Sequence, residues 1–156
     1  MLNLTDSTMR RIGAALVTLQ FALIAALAAY GAPTFLSGHA PAIAWAMAAG
    51  GAALGAWALY RNRPGNFNIR PTPRLGGQLV QQGPYRWIRH PMYTAVLLSG
   101  LACAWVLGSA TGWLAWAALV TVLAVKATLE ERWMLDQHPD YAAYRTRTWR
   151  FVPGLF

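Results

Sequence analysis

Two long uncharged stretches constrain this chain more than anything else in it. Ile12 to Tyr30 is apolar but for Thr18 and Gln20, and Ala42 to Tyr60 carries no charge at all. At about 1.5 Å per helical residue each reaches roughly 28 Å, against a bilayer core of about 30 Å. Two shorter apolar runs follow, Met92 to Leu107 and Trp113 to about Leu129, the latter with Lys126 near its end. Such runs are too long for strands of a soluble core and lack the alternation of a membrane barrel. The expected fold class is all-α: one polytopic membrane domain, 1–156, of about four transmembrane helices. Their expected spans are 12–30, 42–60, 91–108 and 112–135, with a loop over 61–90 and a tail over 136–156. Lys126 is expected to snorkel to the interface.

The charges give an orientation. Arg10 and Arg11 precede the first span, and Arg61, Arg63, Arg70, Arg74, Arg86 and Arg89 lie between the second and third. Lys126, Arg132, Arg145, Arg147 and Arg150 end or follow the fourth. The other two connections, Gly31–Pro41 and Gly108–Gly112, hold no charge beyond His39. Positive-inside then places both termini in the cytoplasm, and the Ala, Gly, Arg and Trp bias is of a bacterial kind, so an inner membrane is expected. The net charge of +8 falls in short clusters beside apolar runs, which suits an anionic leaflet and disfavours nucleic acid as a partner. Arg10-Arg11 before an apolar stretch imitates a secretory signal, but its length and the spans that follow favour a retained helix. Gly51 and Gly55 form a small-xxx-small pair, read first as packing within the chain and second as a homodimer contact. Cys103 lies inside an apolar run, where it packs and forms neither an intrachain disulfide nor a metal cluster.

No ionisable side chain sits deep in the first three spans, which argues against transport. The polar chemistry lies in 61–90 and 126–156. Counting about twenty residues back from the turn near Ser109–Gly112 reaches His90, and about twenty forward reaches Glu130; equal rises put both at one depth on adjacent helices. Pro91 suits a first helical turn, whose unpaired N–H groups, with Arg89, would favour an anion. Glu130 and Glu131 would favour a cation or hydroxyl donors. S-adenosylmethionine, with a carboxylate, an ammonium, a sulfonium and ribose hydroxyls, has that pattern. Taken singly, each feature has a plainer explanation: headgroup contacts for the arginines, a solvated helix end for the glutamates, a surface helix for Tyr141 and Tyr144.

The run Gly83-Pro84-Tyr85-Arg86-Trp87-Ile88-Arg89-His90-Pro91-Met92-Tyr93, then Glu130-Glu131-Arg132, Tyr141-x-x-Tyr144-Arg145 and Phe151-Val152-Pro153, resembles the isoprenylcysteine carboxyl methyltransferase family. That superfamily includes membrane phospholipid methyltransferases. The resemblance runs from Leu79 to the end and departs from the common pattern at Ala95 and at His138-Pro139. It implies that Arg89, His90, Tyr93, Glu130 and Glu131 line a methyl-donor site, with Gly83 and Tyr85 in the loop leading into it. Tyr141, Tyr144 and Arg145 would belong to a carboxyl-terminal segment folded over S-adenosylmethionine, and a lipophilic acceptor would enter sideways from the bilayer. An amine acceptor would need a base, His90 or a glutamate, and Arg145 or Arg147 could hold an acidic one. Two other classes stay open at this point: an NADPH-dependent membrane reductase of sterol-reductase type, and a small membrane protein without catalysis.

Overall fold

The structure, a computed structural model, describes residues 6–62 and 78–155; Arg63, Arg70 and Arg74 of the central loop and Phe156 lie outside them. The described chain is all-helical. Its helices are α1 (Asp6–Leu36), α2 (Ala42–Arg61), α3 (Pro91–Leu107), α4 (Ala110–Gln137) and α5 (Tyr141–Thr146), and a short 3-10 turn, Gly83–Arg86, precedes α3.

Arg11–Leu36, Ala42–Arg61 and Ala110–Gln137 are long and apolar enough to cross a membrane, while the apolar α3 has 17 residues. Their outer faces carry large apolar side chains in the open, among them Phe21, Ile43, Trp45, Trp105 and Leu114. Water would not tolerate such a surface and hydrocarbon would, so the chain is a membrane protein.

Helix ends differ from the sequence expectation where breakers were read too strictly. α1 runs six residues past each expected end, with Pro33 inside it. It closes only where Gly38 takes φ 73° and Ser37 N–H bonds Pro33 O at 3.0 Å. Membrane helices tolerate such a proline. The α3–α4 turn is also tighter than the expected 108–112. Gly108 caps α3 at φ 56°, and Ser109 starts α4 by accepting the Gly112 N–H at 3.1 Å.

The helices pack through small residues. α2 lies most extensively on α3, and Gly51 is what lets them meet. A Cβ there would stand 2.4 Å from Ser99 Oγ and 2.9 Å from Ala95 O, and one on Gly55 would stand 3.5 Å from Ala95 Cβ. The glycine pair is therefore used within the chain. Gly51→Val is expected to cost about 1–3 kcal/mol by overpacking; a thermal midpoint equal to wild type would refute that closeness. α1 closes on α3 and α4; Leu27, Ala104, Leu119, Leu123 and Ala127 form the core. Cys103 packs there on Gly31, whose added Cβ would lie 3.0 Å from its own.

Candidate functional site

Tyr93 and Phe151 continue this core to one end of the hairpin, where α3 begins and α4 carries its two glutamates. Equal helical rises bring the motifs to one level. Arg89 Nε lies 2.9 Å from Glu131 Oε1. His90 stands between the two carboxylates, Nε2 3.2 Å from Glu131 Oε1 and Nδ1 3.5 Å from Glu130 Oε2. The Tyr93 hydroxyl donates to Glu130 Oε1. His90 and Tyr93, three residues apart across the first turn, stack with rings 5.3 Å apart and Phe151 on their edges.

The carboxyl-terminal segment locks this cluster from the side. Residues 147–151 return beside the start of α3 in a short parallel pairing: Trp149 N–H bonds Trp87 O at 3.0 Å, Arg89 N–H bonds Trp149 O at 2.8 Å, and His90 N–H bonds Arg150 O at 3.1 Å. Thr94 Oγ1 adds a bond to Phe151 O at 2.8 Å. Arg150 then reaches Glu131 with two nitrogens, at 3.2 and 3.0 Å, and Thr128 Oγ1 at 3.3 Å. Bidentate guanidinium–carboxylate pairing of this kind fixes orientation as well as charge.

This arrangement leaves less of the start of α3 open to an anion than the sequence suggests. Pro91 has no N–H, His90 N–H is taken by Arg150, and Tyr93 N–H bonds back to His90 O at 3.0 Å. The Arg89 guanidinium is turned to Glu131 and to the carbonyls of Arg145, in the last turn of α5, and of Thr148 just beyond it, where a cation is favoured. Among the described residues, no buried side-chain nitrogen or oxygen lacks a hydrogen-bond partner. The cluster is satisfied by its own members.

The other expected site residues take supporting positions. Gly83 has φ 62°, and a Cβ there would lie 2.5 Å from Arg61 Cγ, so it provides a turn under the end of α2. Tyr85 is buried, and its carbonyl accepts the Tyr144 hydroxyl at 2.6 Å. Burial pushes the Tyr85 phenol up to about 12, a bond with Asn62 pulls it back, and the charge of Glu130 raises it. Burial likewise raises Tyr141 and Tyr144, whose rings meet at 5.8 Å, so all three phenols stay neutral at ordinary pH. The Arg145 side chain is exposed, and only its carbonyl joins the cluster.

Sequence reasoning missed three contributors. From the sequence Arg150 has only the plainer explanation of a headgroup contact, and Thr148 carries no expectation. Lys126 was expected to snorkel outward, yet it is 1% exposed, with Nζ 2.6 Å from Gln20 Oε1 and 5.1 Å from the Tyr93 ring. The polar break at Gln20 in an apolar span was the visible signal.

Helical membrane spans with a charged, internally satisfied centre at one end of a hairpin define a polytopic membrane protein of enzyme-like construction. The family model for phospholipid methyltransferases matches residues 41–140, which include α2, α3, α4 and both glutamates. The chain belongs to that family and is a membrane methyltransferase. No curated protein and no solved structure matches it.

The donor set agrees in sign with S-adenosylmethionine. Side-chain exposure falls to 3% at Glu131, 10% at Arg89 and 11% at His90, against 23% at Glu130. A ligand cation can therefore reach one carboxylate of the cluster, which the Tyr93 hydroxyl and the His90 imidazole hold from the protein side. The exposed Arg145 offers the complement for a carboxylate.

Proposed function

We propose that this methyltransferase uses S-adenosylmethionine and methylates an amphiphilic acceptor at the cytoplasmic face of the inner membrane, with both termini on that side. The observation that carries the reading is the partial opening of Glu130 in a cluster otherwise closed, within a chain of the phospholipid methyltransferase family. When bound, the donor would supply an electrophilic sulfonium methyl, so alignment provides much of the catalysis.

The chain's own residues divide the work. Glu130, held by Tyr93, presents a carboxylate to the positive end of the donor. Glu131, Arg89 and Arg150 hold that end of the hairpin rigid, and His90 ties the two glutamates together. Both His90 nitrogens face carboxylates, so Glu130 rather than His90 is the group placed to take a proton from an amine acceptor, at Oε2. A carboxylate or thiolate acceptor needs no base. Arg145 would hold an acidic acceptor or the donor's carboxylate. The apolar faces around the hairpin suit an acceptor arriving through the bilayer.

Calorimetric titration of the purified protein with S-adenosylmethionine and S-adenosylhomocysteine tests this. Saturable binding that NADPH does not displace is expected. Folded protein that binds neither, with and without added lipid, would overturn the reading.

A further inference from the structure

We propose that Lys126, seated by Gln20, is a positioning residue for the cluster: it holds the Tyr93 ring and, through the Tyr93 hydroxyl, sets Glu130. Three helices contribute to this chain of contacts. Gln20 of α1 accepts from Lys126 Nζ of α4 at 2.6 Å, and the ammonium lies 5.1 Å from the ring centroid of Tyr93 of α3. The Tyr93 hydroxyl then donates to Glu130, one turn beyond Lys126 on α4.

Packing alone does not call for a lysine here. Leu123 and Ala127, its neighbours on α4, are fully buried, and an ionised side chain in such a layer is costly unless it is compensated. An unbranched apolar side chain would fill the space without that cost. The compensation of Lys126 includes an amide oxygen, an aromatic face and the charge of Glu130. The last two belong to the cluster, and Gln20 ties the ammonium in place from α1. The Tyr93 ring that Lys126 faces is the one stacked on His90, so a shift of the ammonium reaches both residues that touch Glu130. Gln20 lies outside the residues matched by the family model. α1 is thus joined to the site by chemistry and is more than an additional span.

The inference rests on the proposed methyl-donor reading for its effect on ligand affinity, and on the contacts alone for its effect on Tyr93. Tyrosine labelled with 13C at Cζ, with the Tyr93 resonance assigned by Tyr93→Phe, reports the second without any ligand. Lys126→Met is expected to move that resonance, Gln20→Leu to move it part of the way, and Lys126→Arg to keep it near wild type. For S-adenosylmethionine, Lys126→Met and Tyr93→Phe are each expected to raise Kd about tenfold, and the double variant no further, since coupled residues are not additive. A purely structural lysine would leave the Tyr93 resonance in place and make the two losses multiply, and either result would overturn the proposal. If Lys126→Met does not fold, Gln20→Leu and Lys126→Arg decide by the same resonance. If wild-type protein binds no donor, the methyl-donor reading fails and the resonance still decides the role of Lys126.

Discussion

Glu131→Gln is expected to destabilise the folded protein by about 3–5 kcal/mol, the usual cost of removing one partner from a buried ion cluster. Glu131 is 2% exposed, and both its oxygens are engaged, Oε1 by Arg89, His90 and Arg150 Nε, and Oε2 by Arg150 Nη2. Glutamine keeps the shape but has one acceptor oxygen and no charge. Its amide nitrogen must face either the Arg89–His90 side or the Arg150 side, setting donor against donor. The two guanidinium groups come from the start of α3 and from the returning carboxyl-terminal segment, so losing their common anion loosens both the hairpin end and the segment that closes it. Thermal unfolding followed by circular dichroism should show the midpoint falling by about 10 °C or more. Glu131→Asp, which keeps the charge one methylene further back, should lose less. A midpoint for Glu131→Gln within about 2 °C of wild type would mean that the cluster does not hold the fold together.

What the sequence disclosed and what it concealed follow from the range of the interactions. α2 was legible almost to the residue, because Pro41 and Arg61 bound a run without charge. The meeting of Arg89-His90 with Glu130-Glu131 was legible too, because two helices leaving one tight turn rise at the same rate. Which charge pairs with which was not. Arg89 is expected from the sequence to face a ligand and faces Glu131, since Thr148, whose carbonyl completes it, and Arg150, which pairs with the same Glu131, arrive on a segment joined to α3 by an isolated bridge at Ile88 and Trp149. Such a pairing leaves no periodic trace in the sequence. The direction of Lys126 was hidden in the same way. Its depth suggested the interface, but Gln20, far earlier in the chain, decides where it points.

Glu130→Gln should behave in the opposite way to its neighbour, keeping the fold and losing the ligand. Its carboxylate is the open one, with 23% side-chain exposure against 3% for Glu131. An amide there can still accept the Tyr93 hydroxyl, and its nitrogen can donate to His90 Nδ1, so the structural cost, chiefly one charge fewer beside Lys126, is expected to be about 1–2 kcal/mol, well below that of Glu131→Gln. What disappears is the charge offered to a cationic donor. Truncating one partner of a partly desolvated charge pair costs about 2–3 kcal/mol, or about a hundredfold in Kd for S-adenosylmethionine. S-adenosylhomocysteine keeps the ammonium but lacks the sulfonium, so if Glu130 faces the reacting sulfur its affinity should fall less. Equal losses for the two ligands would place Glu130 at the ammonium instead, and wild-type affinity for both would remove it from the donor site. A fall in thermal midpoint as large as that of Glu131→Gln would show that both glutamates serve the fold. The arrangement predicts a division between them: adjacent in sequence, they differ because α4 turns one into the guanidinium cage and leaves the other at its edge, where a ligand can compete for it.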